Sequence, residues 1–470
     1  MYNGLDDKMH EECGVFGIYD PEGKKDLVRL TYYALYALQH RGQESAGIAV
    51  SDGEKINVHK GMGLVPEVFS KEVLDSLKGK IAVGHVRYST TGSTNIVNAM
   101  PLVVRYRKGS MALCHNGNLV NAFELRKEME QQGTVFQTTI DSEVIANLIA
   151  RGSNGIEEAV TQAMYRLKGS YALIIMTDDK LIGLRDPKGI RPLSLGKLDG
   201  AYVLASESCA FDTIGADFIR DVEPGEMIVI DENKIESKKV FNDVEKALCI
   251  FEFVYFARPD SIIDGSSVHM ARLEAGRILA REHPADADLV IGVPDSGTVA
   301  AMGFAEESGI PFGIGLIKNR YIGRTFIQPS QVIRQLGVKL KLNALKSAVK
   351  GKRLVMVDDS IVRGTTSGQI VQMLKDAGAA EVHVRVSSPP ITHSCYFGID
   401  TSTRKELIGA QYSVEEICKH IKADSLGYLS LEGLIKSTGL PRETFCAGCF
   451  CGKYCIEVPG EGDKYLFEKC

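Results

Sequence analysis

A chain of 470 residues, 44% hydrophobic and 24% charged, is too long for one ordinary core and reads as a globular protein of roughly two to four domains. The formal net charge of −5 and the lack of a long block of like charges exclude a general attraction to nucleic acid or to an anionic membrane, and favour small-molecule chemistry. No apolar run approaches bilayer length and residues 1–12 lack the apolar centre of a secretory signal, so a cytoplasmic address is expected.

Cys13 heads a short apolar run, Gly14 to Ile18, behind a polar dozen residues. If the Glu12–Cys13 bond is cut, Cys13 becomes both thiol nucleophile and chain terminus. Its α-amine, with a reference pKa of about 7.7–8.0, then serves as the base, a role closed to the amide nitrogen of the uncut chain. A small buried thiol is the plain alternative. Helical spacing predicts helices over 27–38, 124–131, 142–151 and 155–167. Short apolar runs with turn punctuation predict strands over 81–86, 171–176, 181–185, 202–206 and 226–230. Between them stand His40-Arg41-Gly42-Gln43-Glu44-Ser45, Gly84-His85-Val86-Arg87-Tyr88, His115-Asn116-Gly117-Asn118 and Thr139-Ile140-Asp141-Ser142-Glu143.

With Cys13, these ordered motifs resemble the class II glutamine amidotransferases, which are N-terminal nucleophile hydrolases. The resemblance implies an αββα sandwich and a glutaminase. Arg87 would take glutamine's α-carboxylate through a two-pronged guanidinium, and Asp141 its α-ammonium. The resemblance assigns Asn116 and the Gly117 N–H as oxyanion donors, worth about 3–4 kcal/mol each in related chemistry. Asn-Gly is also a hairpin signal and Asp141 also fits a helix N-cap. His40 and His85 read as structural, because the terminal amine already supplies a base.

Past a polar, Lys-rich boundary near 241–249, strand and helix alternate: helix 268–282, strand 289–293, helix 297–308, strand 313–317, strand 354–357 and a helix from Thr365 towards Gly378. This is the pattern of a doubly wound parallel sheet, whose ligands collect at the C-terminal ends of its strands. Leu354 to Val357 run into Asp358-Asp359-Ser360-Ile361-Val362-Arg363-Gly364-Thr365-Thr366-Ser367. Backbone N–H groups of Gly364, Thr365, Thr366 and Ser367 at a helix N-terminus, with the two Thr hydroxyls and Arg363, form an anion site. Asp358 and Asp359 suit ribose hydroxyls or hydrated Mg²⁺. A capped turn facing water is the plain alternative. The segment resembles the phosphoribosyl pyrophosphate (PRPP) motif of type I phosphoribosyltransferases. That likeness implies that the turn Val293-Pro294-Asp295-Ser296-Gly297 cradles pyrophosphate, with Ser296 on Mg²⁺, and the basic run from Lys318 to Arg324 suits a loop closing over a polyphosphate. An ordinary Pro-Asp turn and a solvated surface loop are the respective alternatives.

A glutaminase joined to a phosphoribosyltransferase resembles the glutamine PRPP amidotransferase family from Cys13 to the terminal cysteines. The implied division is a propeptide 1–12, an amidotransferase domain 13–240 and a transferase domain 241–470. The implied product is 5-phosphoribosylamine, the first committed intermediate of purine synthesis. Eleven cysteines in a reducing compartment argue against disulfides. Cys446 and Cys449 form a Cys-x-x-Cys pair with Cys249 and Cys395 elsewhere, a set suited to zinc or to a [4Fe–4S] cluster, of which the resemblance picks the cluster. Cys451 and Cys455 leave that ligand choice partly open, and Cys114, Cys209, Cys418 and Cys470 read as plain thiols. The family further implies a homotetramer inhibited by purine nucleotides. Two other readings stand at this point: a different class II amidotransferase, whose sugar-isomerase or ATP-pyrophosphatase half residues 354–368 do not resemble, and a PRPP-sensing regulator without turnover.

Overall fold

The computed structural model describes residues 13–88, 94–242, 244–319, 342–399 and 403–458. The front half is built on two face-to-face sheets. Strand Gly14–Tyr19 lies inside a seven-stranded sheet, antiparallel to Ile81–Arg87 on one side and Ala201–Ala205 on the other. All six of its residues are buried, as a strand covered on both faces requires. The six-stranded partner sheet pairs Gly109–Leu119 with Gly169–Thr177 and ends at Ile235–Lys239. Val15, Val83, Cys114, Ala172, Ile174 and Leu204 fill the space between the sheets. Helix Leu27–Ala37 covers the first sheet through Val28 and Leu35, and helices Ser142–Ala150 and Ile156–Arg166 cover the second through Val144, Ile145 and Val160. Four layers result, helix–sheet–sheet–helix, and burying each Leu, Ile or Val side chain contributes about 1.5–3 kcal/mol.

The back half has a parallel sheet in the order Leu289–Gly292, Arg353–Asp358, Glu381–Val386 and Ser425–Tyr428. Helices Val268–Glu282 and Gly297–Ser308 pack on one face through Leu279 and Phe304, against Val290 and Val355. Helices Thr365–Asp376 and Val414–His420 pack on the other through Ile370, Leu374 and Ile417, against Leu354 and Val384. The sheet is therefore doubly wound, and the turns that leave its first two strands lie side by side at their C-terminal ends.

One expected strand is displaced. Instead of 313–317 joining the sheet, Leu316–Lys318 pairs antiparallel with Leu342–Ala344, and Phe312 alone bridges to Val290. Gly313 and Gly315 explain this: they carry no side chain to pack, and a Cβ on either would meet Leu289 or Ile291 within 3 Å. Between the halves, Leu248–Cys249 pairs in parallel with Phe445–Cys446, which fastens the C-terminal segment to the start of the back half.

Candidate active sites

Cys13 is buried at the head of the central front strand, and its thiol donates to the Tyr88 carbonyl at 3.4 Å. Burial pushes the Cys13 thiol up to about 11, with the Arg87 guanidinium opposing the rise. A thiol so placed needs a base to become a nucleophile. Arg87 ends the neighbouring strand Ile81–Arg87, buried, with Glu44 Oε2 3.9 Å away. Asp141 is buried too, and one of its oxygens accepts from the Leu119 N–H at 2.9 Å. Burial works against its ionisation, yet the charge and hydrogen bonding of His115, with the Leu119 N–H and Ser142 hydroxyl, hold its carboxyl below the usual range. It stands at the N-cap position of helix Ser142–Ala150, as that alternative expected, but its side chain makes no cap hydrogen bond.

Nor do Asn116 and Gly117 form a hairpin turn; both lie within strand Gly109–Leu119. Both side-chain polar atoms of Asn116 are buried with no hydrogen-bond partner, a state that costs about 1–3 kcal/mol per group and is expected where a ligand will supply the bond. Gly117 has φ +147°, and a Cβ there would sit 2.1 Å from the Ser170 carbonyl oxygen, so only glycine fits. Cys13, Arg87, Asn116, Gly117 and Asp141 stand on two neighbouring strands of the first sheet, one strand of the facing sheet and one helix start.

Sequence reasoning missed a buried ionic chain behind this site. Arg41 Nε donates to the Cys13 carbonyl at 3.2 Å, while its two terminal nitrogens bond Glu207 at 2.6 Å and Glu252 of the back half at 2.8 Å. Arg41 and both carboxylates are essentially inaccessible. Burial opposes the Glu207 charge, but His40 and Arg41 overcome it and its carboxyl is held far below the usual range. His40 Nε2 lies 2.7 Å from Glu207, and His85 Nε2 lies 2.9 Å from the His115 carbonyl, so both histidines anchor structure. The motif around Arg41 was visible in the sequence; Glu252, 211 residues away, had no signal.

In the back half, Asp358 ends strand Arg353–Asp358, and both it and Asp359 are buried. Ser296 and Ser360 hydroxyls donate to the Asp359 carboxylate, the latter at 2.6 Å. A Cβ on Gly297 would lie 2.4 Å from the Val357 carbonyl oxygen, which is how closely the 293–297 turn rests on the aspartate strand. Gly364, at φ +81°, turns the chain into helix Thr365–Asp376, whose N-terminus has no side-chain cap. The first-turn N–H groups of Thr365, Thr366 and Ser367 stand at this helix N-terminus, where the dipole favours an anion. Arg363 lies 3.5 Å from Glu406, and Lys318 reaches Asp295 at 2.8 Å. Arg324 lies outside the described residues.

Cys249 stands opposite Cys446 in the parallel pairing, and Cys395, Cys449 and Cys455 belong to the same core. Burial lifts the thiols of Cys249 and Cys449 well above the ordinary value, and neighbouring cysteines add to it. Cys446 bonds Cys455, which lifts its thiol further. Among the described residues, no three His, Cys, Asp or Glu side chains already form a metal-holding group. Cys114 and Cys209 are buried, Cys418 donates to the Ala423 carbonyl at 3.3 Å, Cys451 is exposed, and Cys470 lies outside the described residues.

Residues 85–213 match a glutamine amidotransferase domain and residues 267–389 a phosphoribosyl transferase domain. The amidophosphoribosyltransferase of Bacillus subtilis is 53% identical over 456 residues, covering 96% of this chain and 95% of the relative. The chain belongs to the amidophosphoribosyltransferase family. The Archaeoglobus fulgidus amidophosphoribosyltransferase is likewise 53% identical, over 96% of this chain and 99% of its own. A solved B. subtilis glutamine PRPP amidotransferase complexed with ADP and GMP superposes with a TM-score of 0.90 at 52% identity, covering 96% of this chain and 98% of that one. As a member of this family the chain is an enzyme, with a glutaminase half and a phosphoribosyltransferase half.

Proposed function

We propose that this chain makes 5-phosphoribosylamine, glutamate and pyrophosphate from glutamine and PRPP, by a division of labour between its two sites. Removal of residues 1–12 frees the Cys13 amine, which accepts the thiol proton. The thiolate then attacks the glutamine carboxamide, held by Arg87 and Asp141, while Asn116 and the Gly117 N–H receive the oxyanion. The buried Asn116 amide, with no hydrogen-bond partner for either polar atom, carries this reading. The Cys13 amine returns its proton to the departing nitrogen, so ammonia leaves with a thioester on Cys13 that water then hydrolyses to glutamate and the free thiol; the ammonia attacks C1 of PRPP as pyrophosphate departs. Ammonia protonates in water, so the passage between the sites has to be dry.

PRPP binds with its 5-phosphate on the Gly364 to Ser367 turn and Arg363, its ribose hydroxyls on Asp358 and Asp359, and its pyrophosphate on the Asp295–Ser296 turn with Lys318 and Arg324. The family uses Mg²⁺ with PRPP, and Asp358, Asp359 and Ser296 are the groups suited to it; what supports this is the Ser296–Asp359 hydrogen bond, which puts the groups within reach of one ion. Domains 13–240 and 241–470 would carry the two activities.

The donor set also fits a [4Fe–4S] cluster: Cys249, Cys395, Cys446 and Cys449 are soft ligands from separate segments meeting in one apolar core. Such a cluster would supply a cross-link between the C-terminal segment and the core and takes no part in the reaction. The hydrogen bond between the free thiols of Cys446 and Cys455 keeps Cys455 as an alternative ligand. The ADP and GMP complexed with the B. subtilis enzyme support feedback by purine nucleotides, and by family likeness we propose a cytoplasmic homotetramer. No helix among the described residues is long and apolar enough to cross a membrane. The intact nucleophile set argues against a silent PRPP sensor. Intact mass with an iron and sulfide assay on anaerobically purified protein tests this reading: loss of residues 1–12 with about four irons per chain is expected. An uncut, iron-free, fully active chain would refute both the free amine and the cluster.

A further inference from the structure

A short stretch of the back half is fastened to the strand that carries Asn116 and Gly117. The Asn118 side-chain amide donates to the Tyr396 carbonyl at 2.9 Å. The Ser170 hydroxyl donates to the Phe397 carbonyl at 2.7 Å and accepts from the Asn118 N–H at 3.2 Å. Arg191 Nε donates to the same Phe397 carbonyl at 2.9 Å. Gly398, at φ +104°, lies against Gly117: a Cβ on it would come 3.1 Å from the Gly117 carbonyl carbon and 3.2 Å from its Cα.

These contacts fall where the sheet alone does least. Asn118 faces Ser170 in the antiparallel register, yet its N–H goes to the Ser170 hydroxyl and not only to the neighbouring strand's backbone. The Gly117 peptide, one step away, is in a conformation open to glycine alone. Its orientation decides whether its N–H aims at an oxyanion, and an error of a few tenths of an ångström weakens such a bond sharply. The stretch 396–398 has no helix or strand of its own, so its carbonyls are available for this task. Arg191 extends the register: its guanidinium lies 3.7 Å from Glu252, which bonds Arg41, which bonds the Cys13 carbonyl.

We infer that Tyr396–Phe397–Gly398 is a positioning strut for the oxyanion donors, so that the glutaminase centre is completed by the transferase half of the chain. The strut acts through Ser170, Asn118 and the Gly117 backbone and touches no substrate. Its existence rests on the oxyanion reading of Asn116 and Gly117 given above.

The test compares full-length Gly398→Ala, Ser170→Ala and Asn116→Ala enzymes, each assayed with glutamine and with ammonium salts. For Gly398→Ala the kcat with glutamine is expected to fall about tenfold or more, with KM for glutamine within about twofold because Arg87 and Asp141 are untouched. Synthesis from ammonium should stay near wild type. Ser170→Ala, which removes only a hydroxyl, should show a smaller fall with the same split, and it decides the matter alone if Gly398→Ala does not fold. Unchanged kcat in these variants, or a rise in KM with kcat intact, would overturn the strut while a large loss in Asn116→Ala leaves the oxyanion reading standing. Normal glutamine turnover in Asn116→Ala would instead remove that reading itself.

Discussion

In the glutaminase half the nucleophile candidate and the charges beside it are sealed in: Cys13 is 6% exposed, Arg87 2% and Asp141 5%. At the transferase turns the buried aspartates sit beside a pair, Asp295 and Lys318, whose side chains are 63% and 47% exposed. The contrast follows the chemistry. Ammonia stays nucleophilic only while unprotonated and needs bulk water kept out, so the charges there are fixed by the fold before substrate arrives. A polyphosphate arrives with its own charges, and an exposed ion pair worth less than about 1 kcal/mol is easily exchanged for it. One site is preorganised by burial, the other by backbone turns.

The largest break in this contrast is expected from Asp358→Asn combined with Asp359→Asn. Loss of the two carboxylates proposed to hold the ribose should abolish product formation from glutamine and from ammonium alike, whereas glutaminase hydrolysis of glutamine persists. Next, Glu252→Ala takes one of two carboxylates from the buried Arg41, with the Glu207 pair left in place, and removes the carboxylate beside the buried Arg191. A loss of about 3–5 kcal/mol of unfolding free energy is expected in denaturant titration, since the partner charge remains buried. A change below about 1 kcal/mol would mean that this ionic chain is solvated in solution.

The smallest effect is acid sensitivity. Burial, against the bond to the His115 carbonyl, lowers His85 from the usual histidine range to about 3. The unfolded chain therefore binds a proton near pH 6.5 that the folded chain refuses, so His85 destabilises the fold as pH falls through that value towards 3, by up to about 1.4 kcal/mol per pH unit. His85→Gln should flatten the fall of melting temperature between pH 6.5 and 5. An unchanged slope would assign that acid sensitivity to other groups.

Chemistry-bearing residues were legible because their types are costly to place without a purpose. Cys13, Arg87, Asn116, Gly117 and Asp141 stood in ordered motifs, and the structure brings the charges of Arg87 and Asp141 to bear on the Cys13 thiol. The Asp358-Asp359 turn was equally plain, as a run of β-branched residues ending in two acids and a Gly-Thr-Thr helix start. What stayed hidden is tertiary. The partners of Asn118 and Ser170 are main-chain carbonyls of Tyr396 and Phe397, groups every residue carries, so no side-chain pattern marks them. Glu252 became a partner of Arg41 only through the docking of the two halves. The strand expected over 313–317 failed because its alternate positions are glycines, which satisfy an apolar average without filling a sheet face.

The account turns on one sulfur atom feeding ammonia to a distant sugar carbon. Cys13→Ala in the full-length enzyme tests it most directly, with product measured from each nitrogen donor. The expected result is no synthesis from glutamine and near-normal synthesis from ammonium salts. Glutamine-dependent synthesis near the wild-type rate would contradict it.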